Sequence, residues 1–414
     1  MKIRRYSAKT FFLIGIILIM NVFTFIMVNK SRVDVSKAKR IDFPIVLIQT
    51  DYNNPITSKD KYLTAKISFE NMTLECQIRG RGNSTWENPK KPYLVKFKHN
   101  VSFLGMPEDN KWVFLTNATD NTALRNAYGT YLAKNVFDKQ KWIPEYRFIS
   151  LYLNGNYEGL YQVYEKISGK ENKLNLDKDD FLVVSNTRES KVYNFRSEIC
   201  NNGFSIYDPR NPSGKNANKI IDKVNALEKV IFSEDFKNSE TGYRSIIDLD
   251  SWIDWYWINE FTTNRDARLK DSCYFYFNSS DNKFYMGPSW DFDISCGNNS
   301  YEGCSTPDTF WVRTEGNWFK RLFEDEYFEQ KVKERYFEVH QKLEESIVWL
   351  EEQTKNRNIQ LAKKYDDRVW RTIGHFQWPH ATGWATRRTY EAECDYLLTW
   401  VKDRITFIDK ELNK

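Results

Sequence analysis

Histidine is the scarcest chemically useful side chain in this 414-residue chain, with four copies, of which His375 and His380 sit beside Trp378 and Pro379. That leaves little material for a histidine metal centre or a Ser-His-Asp triad. The six cysteines (Cys76, Cys200, Cys273, Cys296, Cys304 and Cys394) include no CxxC pair, so a structural zinc site is excluded as well. Their even number permits disulfides, with Cys296 and Cys304 near enough to close a short loop, but a buried free thiol fits any of them equally. No internal repeat is present. A strong charge of one sign is also missing. The formal net charge is +5, too small to drive association with nucleic acid, so no nucleic-acid partner is expected.

Large rings are abundant. Aromatic residues make up 16% of the chain and Trp alone occurs 14 times, which implies an interior packed around large rings, with rings available to line a cleft. The length suits two ordinary domains or one large two-lobed one.

Hydrophobic length is concentrated at the start. Residues 11–28 carry no charge and approach the roughly 20 residues that span a bilayer as a helix. Basic residues flank them: Lys2, Arg4, Arg5 and Lys9 before, and Lys30, Arg32, Lys37, Lys39 and Arg40 after. An uncleaved single-pass anchor is expected, with residues 1–30 as cytoplasmic tip and anchor, 31–40 as a basic stalk, and an extracytoplasmic folded part. A removed signal peptide is the alternative.

From Ile41 to about Ile167 the pattern is strand-like. Ile45–Ile48, Leu74–Ile78, Tyr93–Phe97 and Phe148–Leu153 are β-branched or aromatic runs, and Asn154-Gly155 before Gly159–Val163 is a two-residue hairpin signal. One helix, Ala123–Val136, interrupts them. Residues 186–218 read as loops and short strands. Helices follow at Lys219–Ile231 and Asp250–Thr262, the latter capped by Asp248 or Asp250. A hairpin joins Cys273–Phe277 to Phe284–Met286, and three or four amphipathic helices fill Trp318–Asn413. The division expected is a β-rich lobe over 41–175 and an inter-lobe segment with a helical lobe over 176–414, an α+β arrangement with a cleft between unlike lobes.

Three clusters carry candidate chemistry. Arg79-Gly80-Arg81-Gly82-Asn83-Ser84-Thr85-Trp86, followed by Lys90, Lys91 and Lys96, has the glycines, hydroxyls and guanidinium fork that suit a phosphate; a tight turn with solvated charges is the alternative. Glu165, on one face of Tyr157–Lys166, needs a cation if it is buried, and a Lys or Arg from the first cluster would supply it. The third cluster pairs Asn259–Ala267 with Gly287-Pro288-Ser289-Trp290-Asp291-Phe292-Asp293. Phosphoryl transfer uses carboxylates to hold Mg²⁺ and to orient the attacking hydroxyl, and Asp266, Asp291 and Asp293 are groups of that kind. Alternation places Asp291 and Asp293 on one side and Phe292 toward the core.

Together with Leu104-Gly105-Met106-Pro107, Trp112, Asp120, Leu124-Arg125-Asn126 and Asn154–Tyr161, these clusters resemble the ordered motifs of CotH proteins from about Asp42 onward. The resemblance implies a divergent bilobal protein-kinase-like fold with a β-rich N-terminal lobe and a mainly helical C-terminal lobe. It further implies ATP with Mg²⁺ or Mn²⁺ as cofactors, and transfer to Ser or Thr of a coat or cell-surface protein. Asp266 then corresponds to the catalytic carboxylate, Asp291 to a catalytic and metal-binding one, and Asp293 to a second ligand. Arg81, Ser84, Lys91 or Lys96, and Glu165 would surround the phosphates. A non-catalytic assembly protein on the same fold is the alternative.

Overall fold

The computed structural model describes residues 41–188 and 193–414. The anchor expected at 11–28 and the stalk at 31–40 lie outside the described residues, among which no helix is long and apolar enough to cross a membrane.

Seven strands, β1 (Ile45–Thr50), β2 (Leu63–Phe69), β3 (Met72–Gly80), β4 (Tyr93–Val101), β5 (Asp109–Leu115), β6 (Tyr146–Leu153) and β7 (Asn156–Glu165), close into a barrel in the order β1-β2-β3-β4-β5-β7-β6. All neighbours are antiparallel except the closing pair, where β1 runs parallel to β6 from Ile45 opposite Ser150 to Ile48 opposite Leu153. Closure follows from period-2 alternation. Val46 and Ile48, Ala65, Ile67 and Phe69, and Ile149 and Leu151 all point inward and are buried. Phe103 plugs the interior, its ring 4.3 Å from that of Phe69 and 5.4 Å from that of Trp112. Asn154 and Gly155 both take positive φ (51° and 78°), the geometry of the tight β6–β7 hairpin. The Asn154 Oδ1 also accepts from the Thr50 backbone N–H at 2.9 Å, tying the end of β1 to that turn.

A second sheet, entirely antiparallel, lies in the order β12-β11-β8-β10-β9. Its strands are β8 (Phe181–Ser185), β9 (Asn194–Arg196), β10 (Gly203–Asp208), β11 (Tyr274–Asn278) and β12 (Lys283–Met286). The longer helices are α1 (Arg125–Tyr131, continued by a wider turn Leu132–Val136), α2 (Gly214–Ile231), α3 (Leu249–Phe261), α4 (Glu326–Lys355), α5 (Arg357–Trp370) and α6 (Tyr390–Leu412). From Ser251 to Phe261 every residue of α3 is buried, so this helix is the axis of the second core rather than a surface helix. Asp248 caps it by accepting from the Ser251 N–H at 2.9 Å.

The expected divergent bilobal kinase-like fold with a helical C-terminal lobe is overturned. The first half is a closed barrel, not an open lobe, and the second half holds five strands. The expectation failed because closure depends on a parallel contact between strands about a hundred residues apart, which local pattern does not report.

α5 is bolted to the barrel by a buried ion cluster. The Asp366 carboxylate accepts from Lys90 Nζ at 2.6 Å, from Lys363 Nζ at 3.2 Å and from the Leu160 N–H at 3.0 Å. Gly159, at φ +99°, is required there, because a Cβ would stand 2.1 Å from Asp366 Oδ1. Burial lowers the Lys90 pKa to about 8, while the two ammonium groups hold Asp366 below its ordinary value against that same burial. Asp366→Ala leaves two buried lysines facing each other and is expected to cost about 3–5 kcal/mol in denaturant unfolding. The double variant Asp366→Ala/Lys90→Met should recover part of that loss, and equal stability of wild type and Asp366→Ala would show the cluster to be inert.

Candidate active site

Between the barrel and the second sheet opens a cleft of about 930 Å³. Five of the residues singled out by sequence line it: Arg81, Ser84, Asp266, Asp291 and Asp293.

The acidic floor is built from two stretches of chain. α3 ends at Phe261, and its C-terminal turn is held by the fully buried Glu260–Arg404 pair at 3.1 Å, through which α6 grips the segment. Asn264 then bridges the two acidic stretches. Its Oδ1 caps the following turn through the Asp266 N–H, and its Nδ2 donates to the Asp291 carbonyl at 3.5 Å. On the other side, Gly287 (φ +115°) fits against Gln140, whose Oε1 accepts from the Ser289 N–H at 2.8 Å. Phe292 buries its ring against Gly129 of α1, where a Cβ would approach the ring to 2.3 Å. That contact accounts for a glycine inside a helix, a placement that costs about 1 kcal/mol in helix propensity. Asp291 and Asp293 are left facing the cleft. They lie in a turn rather than a strand, with Asp291 in the left-handed region at φ 71°.

Positive φ at a non-glycine residue costs energy, and three such residues line this cleft: Asn117, Ser272 and Asp291. A buried polar segment grips the turn that carries Asp291. Asp120 and Arg125 form a salt bridge at 2.6 Å with both side chains fully buried, and Arg125 Nε donates to the Ser295 carbonyl at 3.1 Å. Asn126 Oδ1 accepts from the Phe292 N–H at 2.7 Å, Thr119 Oγ1 donates to Asp293 Oδ2 at 2.9 Å, and Asn298 Nδ2 donates to the Thr119 carbonyl at 2.8 Å. Ser272 Oγ donates to Asp291 Oδ2 at 2.9 Å. Sequence reasoning assigned no role in the site to Thr119, Asn126, Asn264 or Ser272. The available signal was the polar run Thr116 to Asn126, interrupted by few apolar residues yet buried throughout.

Electrostatically the floor is crowded with like charge. Burial, then Asp271 and Asp291, raise the Asp266 pKa to about 6, although Arg265 lies 3.1 Å from its carboxylate. Burial and then Asp291 raise Asp293 to about 7, against the Thr119 hydrogen bond that favours its charged form. Cations face them: Arg81, Arg188, Arg265 and Lys270 also line the cleft.

The remaining candidates sit elsewhere. Lys91 Nζ donates to the Trp86 carbonyl at 2.6 Å and lies 5.1 Å from the centre of the Trp86 ring, so it braces the Arg79–Trp86 loop from within. Lys96 lies over Tyr62 at 5.9 Å on the barrel wall. Glu165 is fully buried opposite Trp112; its Oε2 accepts from the Glu145 N–H at 3.0 Å and burial raises its pKa. The cations acting on it are Lys173 and Lys134, not Lys91 or Lys96. The loop glycines have packing reasons of their own: a Cβ at Gly80 would meet the Trp86 ring at 2.3 Å, and one at Gly82 would meet Thr85 Oγ1 at 2.2 Å. All six cysteines are free thiols.

Among the described residues no group of three or more His, Cys, Asp or Glu side chains is disposed to hold a metal by itself. The donors at the floor are hard carboxylate oxygens, the type that Mg²⁺ takes one or two at a time while sharing the ion with phosphate oxygens. Asp291 and Asp293 fit that arrangement. The cleft is therefore an acidic floor with basic walls, suited to a polyanion carried with a divalent cation.

The chain matches the CotH kinase protein family over residues 78–408, and it belongs to that family. No curated protein matches it.

Ionised Asp293 is disfavoured by the fold, so the stability linked to its protonation is complete below about pH 4 and lost as pH rises through about 7. Asp293→Asn removes this loss while keeping an acceptor for Thr119. The melting temperature of the metal-free variant should exceed that of wild type by a margin that grows between pH 4 and pH 8; a margin independent of pH would contradict the electrostatic picture.

Proposed function

We propose that the protein is a metal-dependent phosphotransferase that moves the γ-phosphoryl group of ATP to a Ser or Thr hydroxyl of a coat or cell-surface protein. The observation carrying this reading is the convergence of Asp266, Asp291 and Asp293 on one cleft lined also by cationic side chains, with burial first and neighbouring carboxylates second raising the pKa values of Asp266 and Asp293. Membership of a family described as kinases supports it.

In this reading the acceptor hydroxyl attacks the γ-phosphorus, the bond from that phosphorus to the β–γ bridging oxygen breaks, and ADP leaves. The hydroxyl proton passes to Asp266. A carboxylate with a pKa near 6 is a better base than an ordinary one yet still ionised at neutral pH. Asp291 and Asp293 would hold Mg²⁺ or Mn²⁺, which would supply positive charge against the phosphates. Ser272 and Thr119 fix those two carboxylates through their hydroxyl groups, so each enters the reaction already aimed. Arg81 and Lys270 approach the phosphate oxygens, and Arg265 keeps Asp266 from protonating fully.

With ATP labelled at the γ-phosphate and millimolar Mn²⁺, wild-type protein should label itself or an added Ser-rich protein. Asp266→Asn should reduce labelling by about 10²–10⁴-fold, and Asp291→Asn should abolish it. Labelling should climb between pH 5 and pH 8 as the acidic cluster ionises. Independently of turnover, Mn²⁺ should raise the wild-type melting temperature at pH 8 and raise that of Asp291→Asn much less. Equal labelling by wild type and Asp291→Asn ends this reading.

A further inference from the structure

The mouth of the cleft carries aromatic surface that the transfer chemistry does not use. Trp378 is 55% exposed, yet it lines the cleft together with Pro379 and Tyr301. Its ring stands edge-on to Tyr301 at 6.3 Å. The guanidinium of Arg265 lies 3.6 Å from the centre of the Tyr301 ring and its Nη1 is 3.1 Å from Asp266. These contacts put an exposed indole within roughly four residues of extended chain from the Asp266 carboxylate, at about 3.3 Å per residue.

The segment presenting Trp378 is fastened from below. The Thr372 and Ile373 N–H groups both donate to Asp367 Oδ1 at 2.8 Å. His380 is buried, its ring stacked on Trp384 at 6.0 Å, and its backbone N–H donates to the Gln377 carbonyl at 2.7 Å. Arg387 Nε donates to the buried Glu393 at 3.1 Å. Trp378, Pro379 and Tyr301 form one apolar rim continuous with the cleft, and the position beside the cleft limits what partner that rim can take. A small flat ligand gains most where both of its faces are covered, which a half-exposed ring at a rim does not offer. An extended protein segment crossing the rim covers one face of Trp378 and remains on the surface.

We infer that Trp378, with Tyr301 and Pro379, forms the docking wall for the acceptor segment, which carries an apolar or aromatic side chain within about four residues of the hydroxyl that reaches Asp266. The identity of the segment as acceptor rests on the function proposed above; the docking itself does not. Trp378 is here a specificity residue and Arg265 a positioning residue, because the Tyr301 ring under the guanidinium connects an occupied rim to the group paired with the Asp266 carboxylate.

Phe376 supplies the control. It is 57% exposed on the same loop, packs edge-on against Trp384, and is not among the residues lining the cleft. The test is binding of a Ser-centred peptide library with randomised flanks to the immobilised full chain, without nucleotide, read by sequencing the retained pool. Wild type and Phe376→Ala should enrich apolar and aromatic residues within four positions of Ser by about fivefold, the scale of one good ring contact, and Trp378→Ala should lose that enrichment. Where turnover is measurable, Trp378→Ala should raise KM for a selected peptide and leave KM for ATP unchanged. A wild-type pool without enrichment, an unchanged pool from Trp378→Ala, or an equal loss in Phe376→Ala overturns the inference. Retained enrichment in a wild-type protein that transfers no phosphate upholds the docking wall and defeats the function reading alone.

Discussion

The buried Asp120–Arg125 ion pair is the constraint on which the site depends. Both side chains are sealed from solvent, so the pair persists only because its remaining hydrogen-bonding capacity is filled. Asp120 accepts from the Thr122 and Arg125 N–H groups, and Arg125 donates to the Ser295 and Cys296 carbonyls. That second set of bonds reaches from the segment after the barrel's fifth strand into the turn that carries Asp291 and Asp293. Adjacent Asn126 completes the grip by fixing the Phe292 N–H. Remove this clamp, and the repulsion among the acidic groups and the unfavourable backbone at Asp291 are opposed only by the local bonds from Arg265, Asn264, Ser272 and Thr119.

The same logic runs through the rest of the molecule. Charge is buried at the seams between parts that local interactions would not hold together: Lys90–Asp366 between barrel and α5, Glu260–Arg404 between α3 and α6, and Arg335–Asp254 between α4 and α3. Apolar contacts fill each part, while the directional bonds at the seams fix how the parts are set. At the cleft, Asp266 is paired with Arg265, while Asp291 and Asp293 are held by the hydroxyl groups of Ser272 and Thr119.

Much of this was legible in the residues. The Asn154-Gly155 turn, the Asp248 cap, the hairpin of β11 and β12 and the long C-terminal helices all follow from local chemistry that the structure keeps. Asp291 and Asp293 could be read as sharing a side because Phe292 between them had to be buried. Less visible were β2, β5 and β8, whose neighbours in the sheets, not their own composition, make them strands. The 186–218 region gave up β9, β10 and the start of α2, where Ser213 caps the helix five residues before the apolar periodicity begins. Barrel closure was illegible because Ile45 and Ser150 are adjacent only after everything between them has folded. The Glu165 cation was misassigned for a related reason: strand alternation says that Glu165 is buried but not which part of the chain comes near, and that part carries Lys173 rather than Lys91 or Lys96. The N-terminal hydrophobic run lies outside the described residues.

The central claim is that three aspartates from two distant stretches share one electrostatic environment. Its most direct measurement is the titration of ¹³C-labelled aspartate carboxyl groups by NMR in the metal-free protein, with Asp266, Asp291 and Asp293 assigned by substitution. The account predicts two carboxyl groups titrating well above the ordinary range, near 6 and near 7, and both moving down when Asp291 is replaced by Asn. Titration of Asp266 and Asp293 near pH 4, unaffected by that replacement, would contradict it.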